Sequence, residues 1–263
     1  MKYTYDYPHA AITADCIIYG FDGEHLKILL VERGVEPYKG MWALPGGFMK
    51  IDETIEETAR RELYEETGLK DVFMTQFKIY STVDRDPRER VVTVAFTALV
   101  RPDDYLLTAG DDASNALWFE ERHLPPLAFD HETIIEEAHR YLEELLRLKP
   151  IAFELLNKTF SLGELQRLYE EINRTSYDRR NFQRKAMKSG LISSVETMEE
   201  IDMSNDTMCE YSMTDTKSCA IRPKAKQKRP GRKASRLFFF KTTKENDEDA
   251  ECKDDTIKDI FNF

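Results

Sequence analysis

An α+β unit followed by a smaller unit of two short helices and a strand pair is the organisation that this 263-residue sequence predicts. Three observations carry that expectation. Strand-like runs surround one acidic amphipathic helix in the first part, composition shifts after Lys149-Pro150, and two short capped helices, the second strongly basic, follow the shift. The length allows one large or two ordinary domains and is ample for a sizeable core. We place the first domain at residues 1–149, the second at 150–241 and an acidic tail at 242–263.

In chain order, Ile12 to Tyr19 and Leu26 to Glu32 are β-rich runs separated by Gly20-Phe21-Asp22-Gly23, a turn signal that predicts a hairpin. Trp42-Ala43-Leu44-Pro45-Gly46-Gly47 then delivers the chain to a helix. Pro45 and the glycines suit a tight turn where backbone comes close to a ligand, and Trp42 reads as core. Ile55, Ala59 and Leu63 recur at helical spacing, which gives the helix a stripe for the core. Val72 to Val83 and Arg90 to Val100 read as two more strands, with the polar tip Asp84-Arg85-Asp86-Pro87-Arg88 between them. Trp118-Phe119 mark a further strand, flanked by Asp111, Asp112, Glu120 and Glu121. Asp130 is the expected N-cap of a helix with an apolar stripe of Ile134, Ile135, Ala138, Tyr141, Leu142 and Leu145. His131 reads as structural, because it lacks a partner at ligand spacing.

Charge and cysteine content narrow the classes of function. A net charge of −11 argues against a protein that coats nucleic acid along its whole surface, while leaving room for a local basic patch. Cys16, Cys209, Cys219 and Cys252 show neither CxxC nor zinc-ligand spacing, so free thiols in a reducing compartment are expected. No run reaches membrane-spanning length and the first twenty residues lack a signal-peptide pattern; the expected location is cytoplasmic.

The chemistry concentrates in GFMKIDETIEETARRELYEETGL, Gly47 to Leu69. Glu62, Glu65 and Glu66 fall at i, i+3 and i+4, so three carboxylates share one helical face within about one turn, roughly 6 Å of rise. Crowded like charges cost stability unless something positive sits among them, and hard oxygen ligands suit Mg²⁺ better than zinc. Gly47, five residues, Glu53, seven residues, then Arg61-Glu62-Leu63, Glu65-Glu66 and Gly68-Leu69 resemble the Nudix box at every defining position. The resemblance implies a mixed sheet between helices and an enzyme that hydrolyses a nucleoside diphosphate linked to another group. It also implies Arg61, Glu62, Glu65 and Glu66 as catalytic residues, with Glu62, Glu65 and Glu66 on Mg²⁺ or Mn²⁺. Gly46, Gly47, Arg85 and Arg88 are the expected substrate contacts, since arginine forks suit phosphate and segments similar to DRDPR occur in Nudix proteins that handle ADP-ribose. The general base stays open among Asp111, Asp112, Glu120 and Glu121.

Beyond Pro150, Ser161 caps an expected helix through about Ile172, with Leu162, Leu165 and Leu168 inward. Asp178 caps a second, stopped at Gly190, held by Phe182, Ala186 and Met187. Its polar side, Arg179, Arg180, Asn181, Gln183, Arg184 and Lys185, has the residue types that contact phosphates and base edges, so the pair reads as a helix-turn-helix. Leu191 to Val195 and Ser235 to Lys241 are candidate wing strands, with Arg229, Arg232 and Lys233 in a basic stretch between them. This half resembles the winged helix of the Nudix-related regulators called NrtR, which completes the expected fold class: an α+β Nudix fold followed by a winged helix-turn-helix. The departure is a polar insertion at 196–220, which, like the acidic tail, reads as disordered.

The expected function is therefore a homodimeric regulator of NAD-related metabolism that binds operator DNA, senses ADP-ribose or a related nucleotide, and retains Mg²⁺-dependent pyrophosphate hydrolysis. Two alternatives stay open: a plain ADP-ribose pyrophosphatase, or a sugar-responsive regulator whose Nudix domain is not catalytic.

Overall fold

The computed structural model describes residues 6–105, 107, 113–195 and 236–240. The first strands are β1 (Ala11–Phe21), β2 (Leu26–Arg33), β3 (Trp42–Ala43) and β4 (Gly46–Phe48), and helix α1 (Ile55–Thr67) follows. Then come β5 (Thr75–Tyr80), β6 (Val91–Leu99), β7 (Ala113–Glu120) and helix α2 (His131–Leu148). Among the described residues these strands form one seven-stranded sheet with β3-β2-β1-β6-β5 in sequence, β4 on β1 and β7 on β2. It is mixed: β1 runs antiparallel to β2 and β4 but parallel to β6. The expected hairpin is the β1–β2 pair, with Asp22 Oδ1 accepting from the Glu24 and His25 amides in the turn.

Side chains alternate across a strand, and β1 uses that period to serve two cores. Ala14, Cys16 and Ile18 face one side, where they meet Ala59 and Leu63 of α1; Ile17, Tyr19 and Phe21 face the other, against Ile134, Ile135, Ala138 and Leu142 of α2. The sheet therefore lies between helices. Helix α1 starts in a reciprocal capping box between Thr54 and Glu57 and ends at Gly68, where φ is 77° and the left-handed backbone favours glycine. The Asp130 side chain does not cap α2, contrary to the sequence expectation, because it is held by Arg85. The strand expected over Val72 to Val83 is shorter, Thr75–Tyr80, and Trp42 is half-buried, edge-on to Phe119 at 4.6 Å.

The second unit contains helix α3 (Ala152–Leu155), β8 (Phe160–Ser161), helices α4 (Leu162–Ile172) and α5 (Arg179–Lys188), β9 (Ile192–Ser194) and β10 (Leu237–Phe240). Ser161 and Asp178 cap α4 and α5 as the sequence predicts. Phe182 is buried against Tyr169 and Tyr177, whereas Met187 is exposed and does not help to seat α5. β10 pairs with both β8 and β9, so the wing closes from Phe238 to Ser194. The insertion at 196–220, Arg229, Arg232, Lys233 and the acidic tail lie outside the described residues. No described helix is long and apolar enough to cross a membrane.

The two units share one apolar core. Ile17, Tyr19 and Leu142 of the first unit belong to the same cluster as Leu168, Phe182 and Phe238 of the second. Polar contacts line the same junction: the Leu26 amide donates to Glu171, and Arg122 donates to the carbonyls of Glu170 and Glu171 at the C-terminal end of α4. A cation placed there complements the helix dipole.

Candidate active site and nucleic-acid interface

A cavity of about 480 Å³ opens where β1, β2, β4 and α1 meet the 84–88 tip and the start of α2. Helical spacing puts Glu62, Glu65 and Glu66 of α1 in its wall, and Asp15 of β1 joins them from the sheet. Arg61 organises the face. Its guanidinium donates to both Glu53 oxygens (2.9 and 2.6 Å), to Glu62 Oε1 (2.6 Å), to Glu65 Oε2 (3.1 Å) and to the Phe48 carbonyl (3.1 Å). These bonds hold the Glu53 carboxyl down at about 2. Glu66 turns the other way and accepts from the Gly46 amide at 2.9 Å. Burial pushes Glu66 up to about 8, only partly opposed by that amide, and raises Glu62 as well.

The glycines of the lead-in are required by contact. β4 runs so close to β1 that a Cβ on Gly46 would strike the Ala14 carbonyl and sit 2.9 Å from the Asp15 Cα, while a Cβ on Gly47 would run into the Glu62 carboxyl group. Gly46→Ala should therefore lower the denaturant midpoint by an amount equivalent to roughly 1–3 kcal/mol, since backbone cannot yield. Gly47→Ala meets only a side chain; it should keep most stability and displace Glu62, which a paired unfolding and activity assay would separate.

The two arginines of the tip are placed differently from each other. Arg85 lines the cavity but is buried, its fork bidentate on Asp130 (3.0 and 2.7 Å) with a third contact to Asp15 at 3.3 Å. Arg88 is half-exposed, pairs with Asp86, and lies 4.8 Å from the Phe48 ring and 5.6 Å from the Phe129 ring. Arg33 stands over Phe129 at 4.8 Å, so guanidinium groups and aromatic faces alternate at the rim. Sequence reasoning missed Asp15, Arg33, Phe48 and Phe129; a lone carboxylate inside the apolar run TADCIIYG was a legible signal for the first. His131 is structural, as expected: Nδ1 accepts from the Leu44 amide at 2.9 Å and Nε2 faces Asp15 at 3.8 Å. It pins the lead-in to the cavity wall.

Of the open choices for a general base, Glu120 pairs with Lys27 and His123, and Glu121 with Arg174; neither lines the cavity, and Asp111 and Asp112 lie outside the described residues. No group of three His, Cys, Asp or Glu side chains stands at metal-ligand spacing among the described residues; Arg61 bonds Glu62 and Glu65, while Glu66 accepts from the Gly46 amide. The donor chemistry nevertheless fits a hard divalent cation. Hard oxygen donors line one cavity, two of them with carboxyl groups raised by burial, and the bare backbone of Gly47 lets the Glu62 carboxyl group lie against it.

The second candidate surface is α5. Arg179, Arg180, Asn181 and Arg184 are exposed, Gln183 and Lys185 are half-buried, and Arg184 donates to Asn181 Oδ1 at 2.9 Å. The exposed guanidinium groups stand away from the shared core that seats Phe182.

A carboxylate-bearing helix over a cavity in a mixed sheet, docked onto a winged helix with a basic face, defines a class: a nucleotide-binding domain joined to a DNA-binding one. The comparisons agree. A NUDIX domain model matches residues 9–138, and the NrtR DNA-binding winged helix domain matches residues 152–204. The chain belongs to the Nudix family, in the group whose Nudix domain is followed by an NrtR winged helix. It is 44% identical over 135 residues to an ADP-ribose pyrophosphatase of Methanocaldococcus jannaschii, covering 51% of this chain and 76% of that one. It is 33% identical over 202 residues to an ADPR responsive transcriptional repressor, NtrR, of Acinetobacter baylyi, covering 76% and 78%. The crystal structure of Shewanella oneidensis NrtR complexed with a 27mer DNA superimposes with a TM-score of 0.60 at 25% identity, over 88% of this chain and 93% of that one.

Proposed function

We propose that this protein is an ADP-ribose-responsive transcriptional regulator that retains Mg²⁺-dependent hydrolysis of its nucleotide. The observation that carries the reading is the pairing, in one chain, of a carboxylate-walled cavity with a basic exposed helix on a winged-helix unit, joined by a common core. The relatives' names supply the nucleotide and the DNA. A plain pyrophosphatase has no use for the exposed arginines of α5, and a purely binding domain has no use for the complete set of Glu53, Arg61, Glu62, Glu65 and Glu66.

In this reading a divalent cation held by Glu62, Glu65 and Glu66 supplies charge neutralisation of the diphosphate and activation of water. The rest is done by the chain. Arg61 orients the carboxylates, His131 and Glu66 fix the backbone from Leu44 to Gly46, and the Arg33, Phe48, Arg88 and Phe129 rim offers stacking faces and cationic forks to a nucleotide. Water attacks phosphorus, the bridging P–O bond breaks, and AMP leaves with ribose 5-phosphate. On DNA, Arg179, Arg180, Asn181 and Arg184 contact the groove, with Arg229, Arg232 and Lys233 of the basic stretch on the phosphates. A homodimer presents two such helices to half-sites about 34 Å apart.

The test is an operator titration with and without ADP-ribose, with AMP release followed in the same tube and mass by light scattering. Arg184→Ala should cost about 1–3 kcal/mol on the specific site and flatten sequence preference. Unchanged operator affinity in that variant would remove α5 from the recognition role. A wild type that neither hydrolyses nor responds to ADP-ribose would remove the nucleotide half.

A further inference from the structure

We propose that α2 is the rod coupling the nucleotide cavity to the DNA-facing helix, and that the cluster of His139, Glu121 and Arg174 is the joint through which it acts; the inference rests on the regulatory reading above. The rod begins in the cavity wall. His131 is the first residue of α2, and Asp130 immediately before it holds Arg85 at 2.7 Å. Its apolar face belongs to the core that also contains α4 and α5, so a displacement of its first turn reaches the second unit through packed side chains and is not absorbed by a linker. About two turns along, the His139 side chain is 3% exposed, with Nδ1 3.2 Å from Glu121 Oε1 and Nε2 3.8 Å from Glu143. The same Glu121 oxygen accepts from Arg174 Nη2 at 2.6 Å, so the cluster runs from the buried face of α2 out to the surface. Arg174 lies in the turn between α4 and α5, with φ 47°, where a change in backbone angle re-aims the DNA-facing helix.

Burial and sharing distinguish this cluster from an ordinary surface ion pair. The His139 and Glu121 side chains are each 3% exposed, and the one Glu121 carboxylate serves both the histidine of α2 and the arginine of the α4–α5 turn. Removing either partner would leave a buried charge behind, so the position of the turn is tied to that of α2. A ligand that contacts the start of α2 differently in two positions of the helix selects between them.

The experiment uses the full chain, with Glu121→Gln and Arg174→Ala as joint variants and Asp130→Asn as a variant at the cavity end. In wild type, ADP-ribose should change operator affinity, and each joint variant should reduce that change at least fivefold while ADP-ribose affinity of the DNA-free protein stays within twofold. Joint variants that keep the full change would overturn the proposal. A second measurement needs no nucleotide: Asp130→Asn should alter amide hydrogen exchange across residues 173–178 at least threefold, and should no longer do so in the Glu121→Gln background. An unaltered turn, or an equal effect in both backgrounds, overturns the joint. If wild-type operator binding ignores ADP-ribose, the regulatory reading falls and the exchange measurement alone decides the coupling.

Discussion

Glu66→Gln should reduce Mg²⁺-dependent hydrolysis by at least about 10²–10³-fold, the usual consequence of removing one preorganised charged group from a reaction centre. The fold should survive, because glutamine can still accept from the Gly46 amide. The variant also has a signature in pH. With a chelator present, burial holds the Glu66 carboxyl at about 8 against an ordinary value of 4.5, so the folded chain keeps a proton that the unfolded chain has released. This contribution is fully present below 4.5 and is lost as pH rises towards 8, at no more than about 1.4 kcal/mol per pH unit. Denaturant unfolding of wild type in chelator should therefore show a decline between pH 5 and 8 that is shallower in Glu66→Gln, where Glu62 alone of the pair remains raised, and Mg²⁺ should bind more tightly as pH rises through that window. Identical pH slopes in the two proteins, or undiminished turnover in the variant, would contradict the assignment.

Arg85→Ala should cost about 3–5 kcal/mol, because it leaves Asp130 and Asp15 facing each other without the cation that joins them. Chemical denaturation measures it, and a loss under about 1 kcal/mol would mean that water compensates the carboxylates fully. The sequence reading expected this arginine to meet substrate. As placed, its fork is spent on protein carboxylates in a buried position; Arg88, bidentate on Asp86, and Arg33, which donates to the Pro37 and Val35 carbonyls, are the arginines that reach the more exposed rim.

That contrast shows what a linear pattern carries. The acidic helix, the β1–β2 hairpin and both caps of the helix-turn-helix were legible because each depends on residues within a few positions of one another. Long-range pairings were not. Asp130 looks like a helix cap from its neighbours alone, and only the arrival of Arg85, 45 residues away, makes it a salt-bridge partner. Phe129 and Phe48 carry no local sign of facing the same cavity, and Glu121 sits beside a strand end in sequence while its partner, Arg174, comes from the other unit. The wing strands were legible from composition; β10 between β8 and β9 was not, since pairing of Phe238 with Phe160 spans most of the second unit.

The common core has a consequence for how the chain is made. Synthesis proceeds from the N-terminus at about 5–20 residues per second, so the first unit leaves the ribosome while the part of α2 that packs on α4 has nothing to pack against. Covering it requires the stretch from Leu148 to Ile172, roughly 1–5 s of further elongation at that rate. During that interval the nascent protein shows apolar surface that the finished molecule hides, and a chaperone or a stalled ribosome would meet it at α2.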